Sequence, residues 1–518
     1  MRVASAVKLI ANLYRDSVSL MQLSASLAAR PGIELASAIM ATPANLALLA
    51  AAGLDRGRLA PSPNDLLIAV HGRNPADLEA ALAAAVAELE KPPAAAVGGG
   101  PASMPLRSLQ MALAQAPAQS PAANLALIST PGEYAAAEAM KALRLGLNAM
   151  LFSDNVELRD EIALKRFARD RGLLVMGPDC GTAIIQGIPL GFANAVRRGA
   201  IGVVGASGTG TQQVTCLVHR LGAGISHAIG TGSHDLSAQV GGITMLQGIK
   251  ALAGDRATKV IVLVSKPPSP QVAQRVLAAV RRCGKPVVVN FVGAPPASIR
   301  GHNLHQANTL EDAARLAVRL VGGRSRDKIR IKANPRGIPR TTARQRYVRG
   351  LFSGGTFCYE ASALLGAALG DVWSNAPVDP RMRLANVHKS RGHTLIDLGD
   401  DEFTRGRPHP MIDFRLRNER ILAEARDPEV AVILLDVVLG HGAHPDPGGE
   451  LAPVLAKARA AARKAGRKLA MVGFVCGTEE DPQGLARQEQ QLRAAGMLLT
   501  PSNAQAARLA VAIAQRRR

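Results

Sequence analysis

Two turns of small residues, Ser207-Gly208-Thr209-Gly210 and Ser353-Gly354-Gly355-Thr356, each lie between an apolar run and a helical pattern. At a helix start the unpaired backbone N–H groups and the positive end of the dipole favour an anion, and glycine lets the chain come close to it. Serine and threonine hydroxyls add donors. Two such starts converging on one point can hold a phosphate or phosphoryl group by positioning and electrostatics alone. One such turn more often serves packing; two in matching positions of a repeat point to phosphate. The glycines at 202, 205, 208 and 210 do not keep the GxGxxG interval of a dinucleotide loop, and no GxxxxGK[ST] stretch occurs.

His302 and His305, in SIRGHNLHQAN, follow the apolar run PVVVNFVG, where a parallel strand would deliver them to the ligand edge of a sheet. His227 and His234 lie in GISHAIGTGSHDLS, read as a loop beside the first turn. His441 and His444, in LGHGAHPDPGGE, follow VAVILLD with Asp436 and Asp446 close by. A histidine so placed can accept a phosphoryl group, act as acid or base, or bind a metal, and the plainer reading is a solvated loop side chain. The glycines, prolines and acid of GHGAHPDP favour a shaped site, so His441 and His444 join His302 as catalytic candidates. Carboxylates near phosphate usually act through Mg²⁺. Asp235, Asp436, Asp446, Glu479 and Glu480 could serve, with Asp436 and Asp446 the metal candidates.

Such residues need a scaffold, and the sequence alternates strand and helix signals over most of its length. Residues 1–91 read as a small α+β domain, 92–121 as a Pro-, Ala- and Gly-rich linker, and 122–198 as a βαβαβ block with a parallel sheet. Residues 199–322 and 343–518, separated by a basic linker at 323–342, read as divergent copies of one doubly wound α/β unit. In the first copy the order is GVVGASGTG, KVIVLVSKPPSP, GKPVVVNFVG and TLEDAARLAVRL. In the second it is RGLFSGGTF, VAVILLDVVLGHGAHPDP, GRKLAMVGFVCGTEEDPQG and SNAQAARLAVAI. The two glycine turns open the copies in the same manner and are expected to face a shared cleft.

The chain has 518 residues, of which 47% are hydrophobic and 20% charged, enough to bury several cores. Aromatic residues are only 3%, which leaves few rings for stacking nucleic-acid bases. The formal charge of +22 concentrates in two places: residues 323–349 carry ten Lys or Arg against one Asp, and Arg516–Arg518 add three more. A solvated linker and tail account for that excess, and nucleic acid is not an expected partner. The five cysteines, Cys180, Cys216, Cys283, Cys358 and Cys476, are widely spaced with no CxxC pair, which argues against a disulfide scaffold or a zinc module. A reducing, cytoplasmic setting is expected. No signal-like or membrane-spanning apolar run is found.

The segments MGPDCGTAIIQG at 176–187, IGVVGASGTGTQQ, GGITMLQGIKALAGD and SKPPSP closely resemble the FdrA family, whose members are similar to succinyl-CoA synthetase. The resemblance runs from about residue 120 to the C-terminal block. It implies an α/β chain with a Rossmann-like CoA-binding-type domain and two flavodoxin-like ligase-type domains, preceded by the small α+β domain. In the synthetase family two helices with facing N-termini hold a phosphohistidine loop, and the turns at 207–210 and 353–356 match those helix starts. The resemblance places Gly177, Pro178, Asp179 and Cys180 on the cofactor side and His302 at the phosphohistidine. It also departs from the family: the glycine-rich CoA turn has no counterpart in 1–91, the Gly- and Ala-rich loop after the histidine is missing, and no ATP-grasp domain is seen. CoA thus lacks its usual cradle. The family activity this combination implies is a phosphate-dependent carbamoyl transfer within a multi-subunit complex. Oxalurate and phosphate would yield oxamate and carbamoyl phosphate in allantoin breakdown. An acyl-CoA ligase needing a separate ATP-binding subunit, and a non-catalytic scaffold subunit, are the other readings.

Overall fold

The run Val430–Val438 is buried at every one of its positions, and so is Val260–Ser265. Continuous apolar burial of this kind marks central parallel strands covered by helices on both faces, and it organises the larger part of the chain. The computed structural model describes residues 4–51, 54, 59–90, 108–115, 123–294, 299–322, 341–404 and 408–515. Residues 323–340 of the basic linker, most of 92–121 and Arg516–Arg518 lie outside the described residues. The chain divides into two units, Met1–Val175 with Asp401–Ile412, and Met176–Asp400 with Asp413–Arg518.

In the first unit, β1 (Ala4–Ile10), α1 (Ser17–Ala28), β2 (Ile33–Met40), α2 (Pro43–Ala51), β3 (Leu66–Gly72) and α3 (Pro75–Glu90) form an antiparallel sheet of order β1-β3-β2 under helices. The Asp16 carboxylate starts α1 by accepting from the Ser19 N–H at 3.0 Å. Leu20, Leu27, Ile68, Val70 and Leu78 fill one face of the sheet, and Leu49, Leu54 and Leu67 the other. Beyond α4 (Leu109–Ala114) come β4 (Leu125–Ile128), α5 (Gly132–Arg144), β5 (Asn148–Leu151), α6 (Leu158–Asp170) and β6 (Val175–Met176), a three-stranded sheet in which β4 and β5 are parallel.

The second unit holds two sheets. The first lobe contains β7 (Thr182–Ile185), β8 (Ile188–Gly191), β9 (Arg198–Gly205), α7 (Gly208–Arg220), β10 (Ile225–Gly230), α8 (Ile243–Gly254), β11 (Val260–Ser265), α9 (Pro270–Arg282), β12 (Val287–Phe291), β13 (Leu304–Gln306) and α10 (Leu310–Leu320), with sheet order β13-β12-β11-β9-β10-β7-β8. The second lobe opens with β14 (Tyr347–Phe352), α11 (Gly355–Leu369), β15 (Val372–Trp373) and β16 (His393–Asp397). The chain then passes through α12 (Asp401–Thr404) of the first unit. It returns in α13 (Arg415–Arg426), β17 (Val430–Val438), α14 (Pro447–Lys464), β18 (Ala470–Cys476), α15 (Leu485–Ala494), β19 (Met497–Thr500) and α16 (Asn503–Gln515), with sheet order β15-β16-β14-β17-β18-β19.

Four strands in the order β13-β12-β11-β9 thus have counterparts in β19-β18-β17-β14, which is the arrangement the internal repeat predicts. One boundary differs from the sequence reading. Residues 177–198 do not close the βαβ block; β7 and β8 form a hairpin that joins the seven-stranded sheet, with Ile184 paired to Ala228 of β10. The hairpin turns at Gln186 and Gly187, whose φ values of 53° and 85° give the two left-handed residues that a tight β-turn of this kind requires.

The lobes lock together through buried polar groups. Glu360 on α11 accepts the Leu310 N–H at 2.7 Å and the Asn503 side-chain amide at 2.8 Å, which ties the starts of α10 and α16 to one carboxylate. Burial pushes that carboxyl up to about 7, against the pull of the two donors. On the other side Asp481 accepts Asn194 Nδ2 and the Ala195 N–H, both at 2.8 Å, while Thr478 Oγ1 donates to Ala195 O at 2.6 Å.

Candidate phosphate site

The two glycine turns meet. Ser207 Oγ lies 2.6 Å from Thr356 Oγ1, so the first turns of α7 and α11 face each other across a single hydrogen bond. A Cβ on Gly354 would come within 2.7 Å of Thr209 Cγ2, which explains why glycine stands where the two helix starts touch. Ala206, Ser207, Gly208 and Gly355 keep partial exposure, whereas Thr209, Gly210, Ser353, Gly354 and Thr356 are buried. At α7 the Ser207 hydroxyl accepts the Gly210 N–H at 2.9 Å, leaving the N–H groups of Gly208 and Thr209 as the donors a helix start presents to an anion.

The Ser353 turn is organised differently. Leu351 on β14 is level with Leu435 on β17, so the next residue, Asp436, stands beside the turn. Its carboxylate accepts the Ser353 N–H at 2.9 Å, the Ser353 hydroxyl at 2.7 Å and the Gly354 N–H at 3.1 Å, and the Arg417 guanidinium at 3.0 Å. Asp436 is 0% exposed and Arg417 1%. The sequence suggests Asp436 as a Mg²⁺ ligand, but in the structure its lone pairs are occupied by the turn and by Arg417. Burial raises the carboxyl while Arg417 pulls it down.

Asp446, the other metal candidate, is engaged as well. It caps α14 at the Gly449 N–H and accepts from Gln488 Nε2 at 2.8 Å and Arg487 at 3.1 Å, because it directly precedes a helix that begins with proline. Among the described residues no group of three or more His, Cys, Asp or Glu side chains is arranged to hold a metal. Asp235 accepts the Thr244 and Met245 N–H groups at the start of α8, and Glu479 and Glu480 are exposed.

The histidines separate. His441 and His444 follow β17 and so share the sheet end that carries the turns. His441 is exposed, and its N–H donates to Ala193 O at 2.9 Å. His444 is half-buried against Phe414, its Nδ1 accepts the Asp446 N–H at 3.1 Å, and burial lowers its pKa. His302 lies elsewhere. It stands two residues before β13, whose first residue, Leu304, is level with Val287, the first residue of β12. His302 therefore sits at the N-terminal end of the parallel strands, on the order of 20 Å along the strand direction from the turns. His305 is within β13, and His227 is within β10 rather than in a loop, where its Nδ1 accepts the Gln186 N–H at 3.2 Å. His234 is exposed in the turn after β10.

Gly177, Pro178 and Cys180 are buried, and Asp179 is exposed with φ at 56°. Pro178 O would lie 2.2 Å from a Cβ on Gly232, and Cys180 Sγ 2.4 Å from one on Gly230, so this segment packs on the loop after β10.

Two further groups stand at the site without a motif to announce them. Asp397, the last residue of β16, is level with Phe352 on the other flank of β14, and its Oδ2 lies 2.4 Å from where a Cβ on Gly355 would stand. Burial pushes its carboxyl up to about 6, with Lys266 opposing and Asp400 and Asp436 adding to the rise. Lys266 follows β11, is exposed, and lies 5.7 Å from the Tyr359 ring of α11. The sequence signal available for both is a charged residue at or just past the end of an apolar strand.

Residues 351–513 match the family model described as CoA-ligase, 196–293 the CoA binding domain, and 1–104 the AllF, heavy metal-associated domain. The CoA binding match falls in the block read from the sequence as the first ligase-type unit. YahF of Escherichia coli (strain K12) is 44% identical over 497 residues, 95% of each chain. The chain belongs to the YahF family. The α subunit 2 of the ADP-forming succinate–CoA ligase of Archaeoglobus fulgidus is 28% identical over 187 residues, 35% of this chain and 63% of that subunit. A dinucleotide-forming acetyl-coenzyme A synthetase of Ca. Korarchaeum cryptofilum, solved with phosphate and ADP, aligns with a TM-score of 0.32 and 16% identity over 76% of this chain and 83% of that chain. The YahF-family chain joins CoA-binding and ligase modules, as the resemblance in the sequence implied. The heavy-metal description of its N-terminal module has no thiolate behind it, since residues 1–104 contain no cysteine and soft metals select sulfur ligands. No described helix is long and apolar enough to cross a membrane.

Proposed function

We propose that this chain is the phosphate-handling subunit of an acyl- or carbamoyl-transfer complex. The observation that carries the reading is the head-on meeting of α7 and α11 at Ser207 and Thr356. Phosphate is received at the Gly208 and Thr209 N–H groups of α7 and the hydroxyl of Thr356, where the two dipoles add. Among the reactions of succinyl-CoA synthetase-like proteins, phosphorolysis of a carbamoyl group suits such a site, because it needs bound phosphate and no nucleotide. For oxalurate, a phosphate oxygen bonds to the carbamoyl carbon, the C–N bond to oxamate breaks, and the departing nitrogen gains a proton. Fixed N–H dipoles offset charge building on the phosphate as the bond forms. Partner subunits complete the complex.

The test is phosphate-dependent formation of carbamoyl phosphate by the complex, with Gly208→Val as the probe. A Cβ at Gly208 meets only Thr182 Oγ1, at 3.3 Å, so a side chain there covers the α7 donors without a backbone clash at its Cβ, and circular dichroism of the variant checks its fold. A loss of about 100-fold or more is expected, and an unchanged rate would remove the proposal. The CoA binding match at 196–293 favours a second reading, acyl-CoA ligation with a separate nucleotide-binding subunit. That reading requires CoA affinity and phosphate labelling of His302.

A further inference from the structure

We infer that Asp397 is the proton-transfer group of the paired-helix site and that Lys266 is the cation that holds its phosphate, a deepening that rests on the phosphate reading above. The two carboxylates flanking β14 differ in what they have left to offer. Asp436 is saturated by Ser353, Gly354 and Arg417. Asp397 is only 7% exposed, yet among the described residues its side chain takes a single protein donor, the Gly399 N–H on Oδ1 at 3.0 Å. Its Oδ2 points at the first residue of α11, and no donor to it occurs among the described residues. A largely buried acid with so few protein donors, set against the first turn of α11, is left able to exchange a proton with a guest there.

The backbone around Asp397 is fixed on both sides. Asn375 donates its amide to Asp397 O and accepts the Asp397 N–H, each at 2.9 Å, so the side chain is presented by a rigid strand end. Lys266 arrives from the other lobe, beside Tyr359 on α11, and has no carboxylate within ion-pair distance among the described residues. The groups facing Asp397 are Lys266 at the end of β11, Asp400 in the following loop, Asp436 on β17 and Cys358 on α11. Burial with two acids and one cation gives a carboxyl that exchanges its proton near neutral pH, as a general acid–base group must.

The step balances without a further reactant. Asp397 gives its proton to the departing amide nitrogen as the C–N bond breaks, and regains one from the hydroxyl of the attacking phosphate as the new O–C bond forms. Lys266 pairs with the phosphate oxygens throughout.

The experiment measures inorganic phosphate binding by equilibrium dialysis with the full chain, and carbamoyl phosphate formation with the complex, between about pH 5 and 8. Asp397→Asn is expected to lower kcat by about 100-fold or more while leaving the phosphate KM within about threefold, and to abolish the rate limb near pH 6. Lys266→Ala should raise the phosphate Kd by about tenfold or more, with Lys266→Arg restoring most of it. Lys266 is exposed, so its variants test the idea even if Asp397→Asn folds poorly. If wild type binds phosphate and Gly208→Val does not, yet the Asp397 and Lys266 variants match wild type in kcat, Kd and pH profile, the inference is overturned and the phosphate site stands. If wild type binds no phosphate, both fall.

Discussion

The Ser207 turn and the Ser353 turn occupy the same place in two copies of one topology, and they manage charge in opposite ways. Gly205 and Phe352 each lie two residues before the residue that caps their helix. Gly205 is level with Val264 on one neighbouring strand and Gly230 on the other. Phe352 stands beside Asp436 and Asp397 in the same two positions. The first copy therefore offers a helix start with no internal anion, capped by its own serine. The second carries one carboxylate that is fully used and one that is not. The two lobes thus share a strand order and a helix start, but only the second sets carboxylates beside it.

Breaking the saturated side should have the largest effect. Asp436→Ala leaves Arg417 buried without its partner and is expected to cost about 3–5 kcal/mol in urea unfolding. A loss below about 1 kcal/mol would mean that the second turn is not held by this pair. The unsaturated side should respond with the opposite sign. The folded pKa of Asp397 is about 6, above its ordinary value, so its contribution to stability is present below about pH 4 and lost as pH rises through 6. Asp397→Asn should therefore stabilise the chain at about pH 8 by up to about 3 kcal/mol and leave it unchanged at about pH 4. Thermal unfolding at the two pH values reads the difference, and a destabilised variant at the higher pH would contradict the assignment.

Gly354→Ala tests the contact between the copies. Its Cβ would meet Thr209 at 2.7 Å and Phe357 at 2.8 Å, and a loss of about 1–3 kcal/mol in urea unfolding is expected from forcing the helix starts apart. Ser207→Ala removes only the cap to Gly210 and the bond to Thr356, and should cost about 1 kcal/mol in the same measurement. Equal losses for the two variants would erase the distinction between a contact residue and a cap.

Local signals carry far in this sequence. Both glycine turns, the strands beside them and the order of the repeat follow from apolar runs and helix starts, which depend on neighbours a few residues away. Asp436 is visible as an acid after a strand, but whether it binds a metal or a turn depends on the register of β17 against β14. His302 reads as a ligand-edge residue because it follows β12, and no short-range pattern tells that the chain reaches the opposite edge before β13 begins. Asp397 is hard to read because HTLID has no partner among the four repeated segments, and Lys266 because SKPPSP is informative only by resemblance. The Gln186-Gly187 turn is a legible hairpin signal, masked by the expectation that the βαβ block continues.

The bond between Ser207 and Thr356 joins residues 149 positions apart in one polypeptide. Each copy supplies one side of that contact, so neither can be lost or duplicated alone without leaving an orphaned half. Carrying both on one translation product fixes their stoichiometry at parity and makes their encounter independent of concentration.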